Sequence, residues 1–242
     1  MVERIDLHSH LLPGLDDGCQ SVEESIRCVQ RLVEHGFVGT VCTPHMWMET
    51  FPENTPENVA RAVCQMRVEL ERAGVRYQLW PGGELRMAPG TIGWLEEAGV
   101  PTLGEGRAVL VDYWGSTWPK FADDLCRYLI ERGYQPILAH PERMGLVDRE
   151  LEAALAVLEE MGVWLQGNFN SWGGGEGPYA AARARRMLDE NRYYVLALDM
   201  HGADSLQSRF EGMGLVAAEV GQEKLTELLE VRPKAVLGYG AR

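Results

Sequence analysis

Short apolar runs alternate along this chain with longer segments of mixed polarity. The apolar runs are Arg4–His8, Val38–Thr43, Arg76–Pro81, Ala108–Asp112, Pro136–His140, Val163–Gly167 and Tyr194–Asp199. Most are rich in Val, Ile and Leu without strict alternation, the pattern of parallel strands covered on both faces. Helical signatures lie between them. Ser21-Val22-Glu23-Glu24 reads as a capping box that opens a helix running to about Gly36. Thr55-Pro56 supplies an N-cap and a first-turn proline for a helix ending near Gly74. Further helices are expected over Trp118–Glu131, Arg149–Met161, Pro178–Asn191 and Met213–Val231, with a shorter one at Thr91–Glu97. The strand–helix order repeats without a Ser/Pro-rich linker. It predicts one α/β domain over residues 1–242, a distorted (β/α)7 TIM-like barrel.

Composition narrows the function classes. No apolar stretch approaches the ~20 residues that span a bilayer. The start, Met1-Val2-Glu3-Arg4, has no apolar signal core, so the chain is expected to stay in the cytoplasm. Five scattered cysteines (Cys19, Cys28, Cys42, Cys64, Cys126) suit reduced thiols better than a disulfide framework. A net charge of −13 argues against nucleic-acid binding, which relies on basic surface.

Chemistry in such barrels sits at the carboxyl ends of the strands. Five of the six histidines fall there. They are His8 and His10 in Asp6-Leu7-His8-Ser9-His10, His45 after Cys42-Thr43-Pro44, His140 before Pro141-Glu142-Arg143, and His201 in Asp199-Met200-His201. Residues i and i+2 of an extended segment point the same way, so His8 with His10, and Asp199 with His201, are chelating pairs. Carboxylates accompany them: Asp16 and Asp17, between which spacing does not choose, then Glu84 and Asp112. Histidine and carboxylate at the ends of several strands describe a polynuclear metal site and a metallohydrolase. Arg143, three residues after His140, is suited to fork onto phosphate oxygens. His35 sits at a helix C-terminus, where it meets the helix dipole, and is assigned no chemistry. Cys126 and Arg132 have the spacing of thiolate phosphatases, but the segment between them reads as glycine-free helix. Gly173–Gly177 lacks the Lys-Ser/Thr of a nucleotide loop and reads as a mobile rim loop.

Taken in order, these motifs, with Gly82-Gly83-Glu84-Leu85-Arg86 and Leu198-Asp199-Met200-His201 among them, span almost the whole chain. The chain resembles the polymerase and histidinol phosphatase (PHP) family. Within it, the chain is most similar to the bacterial capsule- and exopolysaccharide-associated manganese-dependent protein-tyrosine phosphatases. The resemblance implies the PHP fold and three divalent ions, manganese first, with iron or zinc as alternatives. It implies one ion held by His8, His10, Glu84 and Asp199, a second by Glu84, Asp112 and His140, and a third by Asp17, His45 and His201. Asp17 is favoured over Asp16, and Glu84 bridges. Arg143 and Arg209 are the implied catalytic arginines. The implied substrate is a phosphotyrosine-containing protein, such as a bacterial tyrosine kinase of polysaccharide export. A homo-oligomer is compatible with this reading; nucleic acid and membrane insertion are not expected.

The sequence departs from that pattern in three places. Asp112 stands where glutamate is usual, one methylene shorter. Arg209 lies eight residues past His201, after an apparent insertion at Asp204–Gln207. The segment Gln166–Gly175 also differs from relatives. Tyr113, Trp114 and Trp118 follow the fourth strand and are candidates to flank an aromatic ring. The implied reaction is phosphomonoester hydrolysis by water activated at the cations. Rival readings are a small-molecule phosphatase of the same fold acting on histidinol phosphate, an amidohydrolase, and an inactive metal-binding protein. Many amidohydrolases need a carbamylated lysine at the fourth strand, where this chain has Asp112.

Overall fold

The computed structural model describes residues 3–238. Among the described residues, nine strand segments stand where seven continuous strands were expected. They are β1 Arg4–Ser9, β2 Phe37–Cys42, β3 His45–Met46, β4 Gln78–Pro81, β5 Glu84–Arg86, β6 Ala108–Asp112, β7 Gln135–Ala139, β8 Trp164–Asn168 and β9 Tyr193–Ala197. The two additions share a cause. Thr43-Pro44 interrupts the second run and Gly82-Gly83 the third, and each resumes after a bend as β3 or β5. Proline cannot donate to a ladder, and glycine lets neighbours approach closely. A Cβ at Gly82 would meet Val41 Cγ1 at 2.7 Å, and one at Gly83 would meet the Met46 sulfur at 2.4 Å. The resumed strands bring His45 and Glu84 into direct register.

All paired strands are parallel. They form two sheets, β1-β2-β4 and β3-β5-β6-β7-β8-β9. The sheets meet at their carboxyl ends. There the His10 N–H donates to the Met200 carbonyl at 3.0 Å, and the Asp199 N–H to the His8 carbonyl at 2.9 Å. Elsewhere along the sheet edges other chain fills the gaps. The Gly104 N–H reaches the Pro81 carbonyl at 2.8 Å, and Arg232 reaches the Tyr193 and Tyr194 carbonyls at 3.0 and 2.9 Å. The parallel α/β architecture is the expected one, with its hydrogen bonding divided between two sheets.

One apolar cluster draws Ile5, Leu7, Val41 and Trp80 from the first sheet and Ala108, Leu110, Ile137, Ala139 and Val195 from the second. The two sheets therefore face a common core, closed by Val236 and Leu237. Intervening residues such as Val109, Val111 and Leu138 join the larger cluster with the helices, the period of two expected of strands covered on both sides.

The helices are α1 Val22–Glu34, α2 Pro56–Arg72, α3 Thr91–Ala98, α4 Lys120–Glu131, α5 Asp148–Glu160, α6 Phe169–Trp172, α7 Gly177–Asp189, α8 Leu206–Thr226 and α9 Arg232–Val236. None among the described residues is long and apolar enough to cross a membrane. At α1 the Ser21 hydroxyl accepts from the Glu24 N–H at 3.2 Å, while the Glu24 carboxylate accepts from Gln20. The last helix differs from expectation. It begins at Leu206, seven residues before Met213, and Gly221 breaks it at φ 80° and ψ 167°. Its first turns are anchored by buried Leu206, Arg209 and Phe210, while the polar residues between them hide the helical period.

α8 lies against α6 so closely that a Cβ on Gly212 would stand 1.9 Å from the Phe169 carbonyl oxygen. Gly212→Ala is expected to destabilise the fold by ~1–3 kcal/mol through this overlap. Urea denaturation with an unchanged midpoint would contradict the close approach.

Candidate metal centre

The carboxyl ends of the strands bring most of the expected ligands into one cluster. His10, Asp17, His45 and His201 form one group whose donor atoms all lie within 4.8 Å of one another. His8, Glu84 and His140 form a second, and His8, His10 and Asp199 a third. His8 Nε2 lies 3.5 Å from Glu84 Oε1 and 3.4 Å from Asp199 Oδ1. His140 Nε2 lies 3.1 Å from Glu84 Oε1. Asp17 Oδ1 lies 3.2 Å from His45 Nε2 and 3.5 Å from His201 Nε2. Asp112 stands back from all three groups, with Oδ1 3.9 Å from His140 Nδ1.

Two ligand candidates depend on unusual backbone. His140 has φ 31° and Asp199 φ 49°, each just past the end of its strand. The left-handed region is uncommon for residues other than glycine and typically persists where the surrounding structure enforces it. Here the turn re-aims the side chain at the strand's end.

The cluster is held by Asp16, one of the two aspartates that spacing left open, and by Gln166 and Asn168, which the motifs did not assign to the site. Asp16 accepts from His10 Nδ1 at 2.7 Å, leaving Nε2 to face the cluster. The structure thus separates the adjacent aspartates: Asp16 is buried and orients His10, while Asp17, 66% exposed, reaches His45 and His201. Gln166 on β8 lies 2.9 Å from His8 Nδ1. Asn168, also on β8, donates to Asp199 Oδ2 at 2.8 Å. Metal-ligating histidines use their second ring nitrogen in this way. Gln166 is 158 positions from His8, so only the assembled sheet pairs them.

Arg143 lies at the mouth. Its Nη1 is 2.6 Å from Asp199 Oδ2, its Nε is 3.1 Å from Glu176 Oε2, and its guanidinium lies 5.6 Å over the Trp114 ring. Nη2 has no hydrogen-bond partner among the described residues. Arg209, expected as the second catalytic arginine, is placed otherwise. It is buried and donates to main-chain carbonyls of Leu198, Asp199 and Ser205 at 2.6–3.1 Å. Those bonds tie down the loop after β9, because early α8 directs the side chain inward. Trp118 is also turned from the ring-flanking role: it packs edge-on against Tyr113 and its indole N–H donates to Asp123. Cys126 is buried on α4, which pushes its thiol up to about 12, and Arg132 lies over Tyr128 instead. No thiolate nucleophile exists there at neutral pH.

Charge in this cluster is balanced between imidazole and carboxylate. Burial opposes ionisation of Glu84, yet His8, His140 and His45 hold it well below the usual carboxylate range. Asp199 is held low in the same way, against its burial, by His8, His10, His140 and His201. Conversely, burial works against a charged His10, but Asp16, Asp199 and Glu84 raise it well above its ordinary value. His45 is pushed up to about 9, against burial, by Asp17 and Glu84. Burial, with the charge of Glu84, raises Asp112 to about 6.

The donor set fits divalent cations. Ligand atoms 2.0–2.2 Å from one ion stand about 3.0–3.6 Å from each other, the spacing found between most of these nitrogens and oxygens. His45 Nδ1 and Glu84 Oε2 lie 2.6 Å apart but without hydrogen-bond geometry, and Asp112 Oδ2 is buried with no partner. Buried lone pairs left unpaired are costly, and a cation would satisfy them. A cavity of about 120 Å³, lined by Asp17, His45, Trp47, Glu84, Trp114, His140, Arg143, Asp199 and His201, opens over the cluster. It shares Trp114, His140 and Arg143 with a groove of about 440 Å³ that Tyr113, Ser116 and Met144 also line.

Known proteins share this chain's sequence and fold. The tyrosine-protein phosphatase YwqE of Bacillus subtilis is 28% identical over 231 residues, covering 94% of this chain and 90% of the relative. The tyrosine-protein phosphatase CpsB of Streptococcus agalactiae is 26% identical over 245 residues, covering 96% and 98%. A solved structure, described with YwqE from Bacillus subtilis and CpsB from Streptococcus pneumoniae as unique metal-dependent tyrosine phosphatases, aligns with a TM-score of 0.85. It is 27% identical, and the alignment covers 97% of this chain and 94% of that one. Residues 4–238 match the family described as capsular polysaccharide synthesis, CpsB/CapC, and the chain belongs to that family.

Proposed function

We propose that this protein is a metal-dependent protein-tyrosine phosphatase that hydrolyses phosphotyrosine in proteins of polysaccharide synthesis. The observation that carries the reading is the continuity of three overlapping His/carboxylate groups with an arginine and an aromatic groove. Residues His8, His10, Asp17, His45, Glu84, His140, Asp199 and His201 would hold the ions, with Asp112 beside His140. Three divalent ions, manganese foremost, suit that donor set. When bound, they would supply Lewis acidity toward the phosphoryl group and activate water near neutral pH.

The chain's own residues do the rest. Asp16, Gln166 and Asn168 fix the orientation of His10, His8 and Asp199, so the site is organised before substrate arrives. Arg143 is pinned on two nitrogens and offers Nη2 to a phosphoryl oxygen, a preorganised charge for the transition state. Trp114, 53% exposed, stands where the small cavity meets the groove. A phenyl ring in that groove would keep the phosphoryl group at Arg143 and the ring against Trp114 and Tyr113. Phenolate leaves with little acid assistance, so no general acid is required at the leaving oxygen. The amidohydrolase reading lacks its lysine, and Asp112 holds that strand end. The metal-loaded chain should turn over phosphotyrosyl peptide well above histidinol phosphate. The opposite order would favour a small-molecule phosphatase.

His140→Ala is expected to abolish turnover and lower bound metal measured by elemental analysis; wild-type turnover would remove His140 from the site. Arg143→Ala should keep the metal content but lose about 10²–10³ in kcat, as for loss of one preorganised donor. The protonation pattern sets a pH dependence. Raised imidazoles such as His45, at about 9, hold protons near neutrality in the metal-free chain. That protonation stabilises the metal-free fold below about pH 6.5, and the contribution is lost as pH rises toward about 9. A cation must displace the same protons, so affinity for manganese should increase with pH, roughly tenfold per unit for each proton displaced. Titration calorimetry in buffers of different ionisation enthalpy reads both affinity and proton release. A flat affinity across this range would contradict the charge pattern.

A further inference from the structure

Arg86 is a rim cation that the metal centre leaves unused. It ends β5, two residues beyond Glu84. Residues i and i+2 of a strand share a face, and two residues advance a strand by ~6.6 Å. Arg86 therefore stands on the Glu84 face, one layer nearer the carboxyl end. Its guanidinium lies 4.7 Å over the Trp47 ring. Trp47 in turn stacks on His45 with ring centroids 4.4 Å apart and lines the small cavity. On the other side Arg86 is in register with Asp112, and its charge is felt at Tyr113, which lines the groove. The guanidinium makes no ion pair and no side-chain hydrogen bond among the described residues. The chain does not lack acids to pair it, since Asp and Glu number 36 against 23 Lys and Arg. Arg143, Arg183 and Arg192, also partly or wholly buried, each have a carboxylate partner.

The cation–π contact with Trp47 holds the guanidinium and leaves its N–H groups without a partner among the described residues, and a guanidinium so placed can receive a carboxylate in bidentate fashion. We propose that Arg86 binds an Asp or Glu side chain adjacent to the phosphotyrosine, so that acidic phosphotyrosyl segments are the preferred substrates. The assignment rests on the phosphatase reading. It places Arg86 at a neighbouring residue rather than at the phosphoryl group, because it stands a strand layer above Glu84, over the Trp47 ring that itself stacks on His45.

The test compares two phosphotyrosyl peptides that differ only in Glu or Gln beside the phosphotyrosine, with the manganese-loaded protein. The wild type should prefer the Glu peptide by about fivefold in kcat/KM, carried by KM. Arg86→Gln should erase that preference, and Arg86→Lys should retain part of it, since charge survives without the fork. Raising salt from about 0.05 to about 0.5 M should shrink the wild-type preference. An equal loss of kcat/KM on both peptides in Arg86→Gln would assign Arg86 to the phosphoryl group or to the fold and overturn the proposal. A wild type without preference would overturn it as well. Turnover of free phosphotyrosine by the wild type checks the underlying reading separately. A chain active on it but indifferent to the flanking residue loses only the Arg86 assignment, whereas a chain inactive on every phosphoester loses both.

Discussion

The carboxylate of Glu84 is the constraint around which the site is built. It is buried to 1% exposure and lies within 3.6 Å of nitrogens on His8, His10, His45 and His140. A buried carboxylate without compensation would be strongly destabilising. The fold supplies four imidazoles from three different chain segments to surround it, and Asp199 repeats the arrangement alongside. The cluster is thus a store of charge whose balance is met by protons or by cations. The proposed chemistry exploits that interchange.

Holding such a cluster requires backbone that a regular strand cannot provide. The bend at Pro44 and the glycine pair before Glu84 set the strands that carry His45 and Glu84 in register. The left-handed turns at His140 and Asp199 swing two more side chains inward. Such conformations cost of order 1–3 kcal/mol each. They persist because the apolar clusters on both sides of the strands, and hydrogen bonds from Asn168 and Arg209, leave the loops no freedom to relax. Arg209 is in this sense part of the scaffold of Asp199.

The mouth is asymmetric. Arg143 lies between two carboxylates and beside an exposed tryptophan, while Trp47 lines the same cavity with Arg86 over its ring. Each of the two arginines thus lies over a tryptophan that lines the cavity. This pattern suits a ligand that is anionic at one end and aromatic along its length.

The sequence by itself determined the element order and the positions of the histidine and carboxylate motifs. Apolar runs ending in histidine or carboxylate are local signals, and a strand end is where a barrel presents side chains. The breaks at Pro44 and Gly82-Gly83 were visible as residues but not as new strands, since only neighbouring strands decide whether a ladder resumes. Asp16 and Asp17 could not be told apart by spacing from His10, because one residue's rotation about the loop exchanges buried for exposed. The tertiary structure alone decided that Gln166 and Asn168 orient candidate ligands, that Asp112 stands back, that Arg209 serves the backbone and that Arg86 has no carboxylate partner among the described residues. Each of those outcomes depends on which side chains meet across more than one strand or helix. Hydrogen bonds and ion pairs act over about 3 Å of space, a distance that separation along the chain does not encode.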